Sequence, residues 1–202
     1  MKGTDFMKKI LFINSCPRPR GISRTLRLSD YFLKCYTDKH PEYELTEIRL
    51  FDEDLRSLTA ADIERRDALL QAGKTDDPFF RFAHQFVSAD RILIGAPYWD
   101  LSFPSILKVY VEHLCAGGIT FQYTETGSEG LSHFEKAIYI TTSGGFIEGN
   151  DYGTEYIKGV LNFLGNGTFT ACYAEGLDIC GNDSEKILQK KEKELSIIAE
   201  KW

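Results

Sequence analysis

Three short, nearly unbroken apolar runs constrain this chain more than any other feature: "KKILFIN" (8–14), "RILIGAP" (91–97) and "KAIYITTSGG" (136–145). Runs of this length suit strands covered on both faces, because a half-exposed strand would alternate apolar and polar residues. Between them lie segments with helical spacing. In "RTLRLSDYFLKCYTDKH" (24–40), Leu28, Tyr31, Phe32 and Cys35 recur at i, i+3, i+4 and i+7. "YELTEIRLF" (43–51) alternates as a less buried strand, residues 55–88 read as charged helix broken near "AGKTDDP" (72–78), and "SILKVYVEHLC" (105–115) reads as helix. "TEYIKGVLNFLG" (154–165) predicts a further helix, "TFTACYAEG" (168–176) a strand, and 183–202 a closing amphipathic helix.

The resulting β-α-β-α-β-α-β-α-β order predicts a doubly wound α/β fold. Five parallel strands in the flavodoxin-like order 2-1-3-4-5, with helices on both faces, are expected. No linker or composition shift divides residues 1–202, so a single domain is expected. The formal charge is −6, from 24 basic and 30 acidic residues, which argues against nucleic acid or an anionic membrane as the main partner. No stretch of about 18 apolar residues predicts a membrane span. The opening "MKGTDFMKKILFIN" lacks the small-residue cleavage pattern of a signal peptide. Five cysteines (16, 35, 115, 172 and 180) with no C-x-x-C pair read as reduced thiols of a cytoplasmic protein. The four histidines show no ligand spacing relative to them, so no metal is expected.

In such sheets ligands bind beyond the carboxyl ends of the strands, at the switch in strand order. Three loops leave those ends. "SCPRPRGISRT" (15–25) leads to a helix that Ser23 can cap, and its amides together with Ser15, Ser23 and Thr25 suit an anion; an ordinary capped helix is the alternative. The loop has neither G-x-G-x-x-G nor G-x-x-x-x-G-K-[ST], so a phosphomonoester held without magnesium fits better than a dinucleotide or a triphosphate. In "PYWDLSFPS" (97–105), Tyr98 and Trp99 can wall a planar ligand while Asp100 accepts a hydrogen bond; equally, the rings can be core under the next helix. Pro104 fits a helix first turn. "TTSGG" (141–145) can bring backbone close to a ligand through positive φ at its glycines, or serve only as a tight turn. Phosphate pocket, aromatic wall and glycine loop at one sheet edge together describe a flavin mononucleotide site.

The chain resembles the FMN-dependent NADH azoreductases and related quinone reductases of the flavodoxin-like superfamily. The resemblance is carried by residues 14–33, 95–114, "ITTSGG" (140–145), "YAEG" (173–176) and above all "GITFQYTETGSEGL" (118–131). It implies that Ser15, Ser23, Arg24 and Thr25 surround the FMN phosphate. It also implies that Pro97, Tyr98, Trp99, Asp100 and Leu101 line the isoalloxazine, with Thr142, Ser143, Gly144 and Gly145 along its edge. A homodimer with a shared active site is implied, its substrate pocket completed by the partner subunit and reached by Tyr123. Where relatives carry P-M-Y-N-F this chain has "PYWDL", so Asp100 replaces an amide that can donate; "TTSGG" also lacks a basic residue common before the glycines.

No Ser-His-Asp or paired-carboxylate set is evident, as expected where FMN carries the chemistry. The resemblance implies ping-pong hydride transfer from NADH or NADPH, through FMN, to a quinone or azo acceptor. An FMN electron carrier without steady-state NAD(P)H oxidation, and a non-catalytic nucleotide- or quinone-binding sensor, are the rival readings.

Overall fold

The computed structural model describes residues 7–202; the start of the segment read as lacking a leader pattern, residues 1–6, lies outside the described residues. The elements run β1 (Lys8–Asn14), α1 (Arg24–Thr37), β2 (Tyr43–Arg49), α2 (Ala60–Gln71), α3 (Arg81–Val87), β3 (Arg91–Gly95), α4 (Ser105–Leu114), β4 (Phe121–Thr124), β5 (Gly127–Gly130), β6 (Lys136–Thr142), α5 (Tyr152–Leu164), β7 (Thr168–Ala174) and α6 (Ser184–Ala199).

Five strands pair in parallel in the order β2-β1-β3-β6-β7, while β4 and β5 form a separate antiparallel hairpin. The expected order 2-1-3-4-5 is therefore corrected to 2-1-3-6-7, because the hairpin inserts two strands between the third and fourth members of the sheet. Its strands "FQYT" and "GSEG" are short and mostly polar and exposed, so hydrophobic patterning does not reveal them.

The two faces of β1 explain the two layers of core. Ile10 and Phe12 point to one face with Leu93, Ile138 and Ile140, against Phe32 and Tyr36 of α1 and Leu188 and Leu195 of α6. Leu11 and Ile13 point to the other with Ile92, Ile94 and Tyr139, against Phe86 of α3, Tyr110 of α4 and Ile157 and Leu161 of α5. Alternation along the strand divides the residues, and helices on both faces make the central positions Ile10 to Ile13 apolar.

Local chemistry sets several boundaries. The second strand stops at Arg49 rather than Phe51, as Leu50 and Phe51 enter a turn. The charged segment 55–88 resolves into α2, started by a capping box between Thr59 and Asp62, and α3, preceded by a 3-10 turn with Pro78 in its first turn. At the carboxyl ends Asn14 of β1 pairs with Gly95 of β3, and from there the chain is wound in opposite directions along the sheet.

Candidate functional site

Beyond that switch point lies a cavity of about 240 Å³ lined by residues of all three expected loops and of a fourth, after β7. At one end is the loop from Cys16 to the start of α1. The Asn14 side chain ties its root: Oδ1 accepts from the Cys16 N–H at 2.9 Å, and Nδ2 donates to Glu47 at 2.7 Å. Arg20 fastens its middle through Asp30 and Glu47. Ser23 caps α1 as expected, its Oγ accepting from the Leu26 N–H at 3.2 Å. The amides of Arg24 and Thr25, at the first two helical positions, have no intrahelical partner and carry the positive end of the helix dipole. No acidic side chain occupies this first turn.

Across the cavity Thr25 Oγ1 and Thr142 Oγ1 share a hydrogen bond of 2.6 Å, joining α1 to the end of β6. Ser15 is fully buried, and its Oγ has no hydrogen-bond partner among the described residues. An unpaired buried hydroxyl at the root of an anion-type loop fits a phosphate, because a buried polar group without a partner is costly. Cys16 donates its thiol to the Gly95 carbonyl, and burial pushes that thiol up to about 12. It therefore stays protonated at neutral pH.

The other end is aromatic. The backbone after β3 runs beside the end of β6, with the Ala96 and Tyr98 amides donating to the carbonyls of Ile140 and Thr142. Pro97, Tyr98 and Trp99 then form the wall, with Trp99 still 43% exposed. Trp99 and Ser102 exchange backbone hydrogen bonds of 3.0 and 2.8 Å around a two-residue turn in which Asp100 (φ 50°) and Leu101 (φ 67°) are both left-handed. This is the type I′ arrangement, which favours Asn-Gly because left-handed backbone crowds a Cβ. Asp100 and Leu101 are thus turned outward and exposed beside the cavity rather than in its lining. The 146–151 loop packs against this turn, since the Tyr98 hydroxyl donates to the Asn150 carbonyl and the Tyr152 N–H to that of Leu101.

The glycine loop works differently from the expectation. Neither Gly144 nor Gly145 has positive φ. Gly144 comes close to Asp178: a Cβ there would lie 2.4 Å from the carboxylate, which would have to move aside. The loop is also held by its carbonyls, with Ser143 O accepting from Leu177 N, Gly144 O from Asp178 N and Gly145 O from Gly176 N.

Of the residues expected at the site, Ser23, Arg24, Thr25, Pro97, Tyr98, Trp99, Thr142 and Gly144 line one cavity. Ser15 and Ser143 are buried and contribute no lining, and Gly145 lies outside it. Tyr123 is not brought to the cavity of its own chain; it stands on β4, 82% exposed. Pro17, Arg18, Ile22 and Asp178 complete the lining. The first three belong to a loop already marked by its basic residues, whereas nothing in "EGLDIC" signals Asp178. Arg24 makes a bidentate ion pair with Asp178 at 2.8 and 2.9 Å, which holds that carboxyl below the ordinary range. Among the described residues no cluster of His, Cys, Asp or Glu could hold a metal, and no helix is long and apolar enough to cross a membrane.

Comparison with known proteins agrees with this geometry. A family model described as the flavodoxin-like fold matches residues 8–197. An FMN-dependent NADH:quinone oxidoreductase from Clostridium acetobutylicum is 39% identical over 188 residues, covering 91% of this chain and 94% of the relative. One from Caldicellulosiruptor saccharolyticus is 34% identical over 201 residues, covering 97% and 100%. Among solved structures, an FMN-dependent NADH-azoreductase from Bacillus anthracis in complex with FMN superimposes with a TM-score of 0.85 at 26% identity, covering 96% of this chain and 99% of that one.

Proposed function

This chain belongs to the flavodoxin-like family, among the FMN-dependent NADH:quinone oxidoreductases, and on that premise we propose that it is an FMN-dependent NAD(P)H oxidoreductase acting on quinones and azo compounds. The observation that carries the reading is the one cavity at the switch point, with the helix N-terminus of α1 and the Ser23 and Thr25 hydroxyls at one end and an aromatic wall at the other. The Arg24 and Thr25 amides, with the hydroxyls of Ser23 and Thr25, hold the phosphate, and Ser15 stands at the buried root of that loop. Pro97, Tyr98 and Trp99 hold the ring system, with Asp100 and Leu101 at its outer rim and Thr142 to Gly145 along its edge.

Bound FMN would supply the hydride-transfer chemistry between nicotinamide and acceptor. The chain's residues bind, orient and exclude water. The phosphate end fixes the position along the cavity, and the clamp between Tyr98 and Asn150 braces the wall against which a planar ring lies. Trp99 leaves room beside it for nicotinamide and acceptor to stack in turn.

One flavin-binding unit spanning the chain works as a homodimer. Support comes from the exposed Tyr123 and from an open groove where Val111 of α4 and Cys115 just after it meet Tyr156 and Val160 of α5. A cytoplasmic location is in keeping with five unpaired cysteines. The purified protein is expected to show flavin absorbance near neutral pH and to oxidise NADH or NADPH in the presence of menadione. Colourless protein that FMN does not stabilise against heat would overturn the reading, and flavin that NADH cannot bleach under anaerobic mixing would make it a carrier instead.

A further inference from the structure

Asp178 is a puzzling residue to find in an anion-binding cavity. It stands on the loop between β7 and α6 and contributes its carboxylate to the same lining as Arg18, Ser23, Arg24 and Thr25. Its side chain is 65% exposed, so it fills no core, while that of Arg24 is 30% exposed. Both terminal nitrogens of Arg24 are taken by this one carboxylate, and Nη1 also donates to the Leu177 carbonyl at 3.2 Å. The Asp178 amide is held by the Gly144 carbonyl at 2.9 Å, and the carboxylate lies in the space that a Cβ at Gly144 would take. The carboxylate is therefore fixed from two sides.

The charges at this end decide what the arrangement does. Of the three arginines in the loop, Arg20 is consumed by Asp30 and Glu47, leaving Arg18 and Arg24 at the cavity. Arg18 makes no ion pair among the described residues. Asp178 cancels one of the two positive charges, so the lining offers one net positive charge to a phosphomonoester that carries about −1.5 to −2 at neutral pH. With its Nη1–Nη2 edge filled by the carboxylate and its charge cancelled there, the Arg24 guanidinium has only its Nε–Nη2 edge left for a phosphate.

We propose that Asp178 is a specificity-setting residue of the cavity: by occupying the Arg24 fork it withholds one positive charge from the flavin phosphate, so that neutral amides and hydroxyls carry most of the discrimination between FMN and phosphate-free flavins. The proposal rests on the flavin reading of the cavity. Asp178 acts through Arg24 and through its own repulsion of the phosphate, and both effects vanish for a ligand without phosphate. A residue that merely props the loop would affect phosphorylated and unphosphorylated flavins alike.

Full-length protein stripped of flavin, titrated with FMN and with riboflavin at low and raised salt while flavin fluorescence is followed, separates these cases. In Asp178→Asn, FMN is expected to bind roughly tenfold tighter, with a steeper loss on adding salt, while riboflavin affinity is unchanged. Asp178→Glu restores the carboxylate and is expected to return FMN affinity to within about twofold of the parent. Unchanged FMN binding in Asp178→Asn, or weakening of both flavins together, overturns the role given to Asp178 while leaving the flavin reading in place. A parent protein that binds neither flavin overturns that reading, and the proposal with it.

Discussion

At Asp100, Leu101 and Glu148 the described chain adopts positive φ without glycine, and all three residues sit on the two loops at the aromatic end of the cavity. Left-handed backbone costs an L-residue roughly 1–2 kcal/mol, and asparagine or aspartate tolerates it better than leucine does. Retaining leucine at 101 therefore sacrifices stability for an exposed apolar side chain beside the ring-binding wall. Replacing Leu101 by glycine relieves the crowding but adds chain entropy on unfolding, a net gain of about 0.5–1 kcal/mol. A rise of about 1–3 °C in Tm is expected by calorimetry for Leu101→Gly. An unchanged or lower Tm would mean that the side chain contributes more packing than its 49% exposure suggests.

At the scale of elements, α1 is the common member: its N-terminus faces the cavity, its inner face packs on the sheet, and its flank is tied to α6. Arg27 of α1 reaches Glu185 in two contacts of 2.6 and 2.8 Å and Glu192 in a third of 2.8 Å. Chiefly through the Arg27 hydrogen bond, the Glu185 carboxyl is lowered from an ordinary 4.5 to about 2. A carboxylate with a depressed folded-state value stabilises fully above its unfolded value and loses that contribution as pH falls through the folded one. Glu185→Gln should accordingly melt slightly below the parent at pH 6, with the two curves converging between about pH 4.5 and 2. A difference that persists at pH 2 would show that the pair does not tie the helices through charge. The effect is expected to be small, because exposed ion pairs are screened by solvent.

Over the whole molecule, charge is segregated along the cavity. Arg18 and Arg24 lie at the phosphate end, whereas residues 92–107 and 137–157, which supply the aromatic wall and the loop clamped to it, contain no lysine or arginine. Those segments carry Asp100, Glu148, Asp151 and Glu155, and Glu175 accepts from the Ile147 amide beside them. An anionic acceptor approaches against this field and against a net charge of −6, while a neutral one does not. Anaerobically pre-reduced protein mixed with acceptors should be reoxidised roughly tenfold more slowly by a sulfonated naphthoquinone or azo dye than by a neutral naphthoquinone of similar potential. Added salt should narrow the gap by speeding the anionic acceptor alone. Equal rates at low salt would show that the mouth does not select by charge.

Sequence alone determined what depends on near neighbours and on burial. Apolar runs at 8–14, 91–97 and 136–145 specified strands covered on both faces, the spacing of Leu28, Phe32 and Cys35 specified α1, and Ser23 marked its cap, because each rests on contacts within a few residues. Loops at the carboxyl ends followed from strand order, which is why most of the lining was legible. Tertiary structure decided the rest. The polar hairpin β4–β5 has no apolar signature of its own, and the close approach at Gly144 is to a carboxylate 34 positions further along the chain. Asp178 reaches Arg24 across 154 residues, so no local pattern can announce it. Asp100, a candidate flavin contact by its chemistry, stands exposed at the cavity's rim because backbone bonds between Trp99 and Ser102 close a tight turn around it. Patterns of burial are written in neighbouring residues, but the direction in which a side chain points at a loop tip is set by whatever the fold places opposite it.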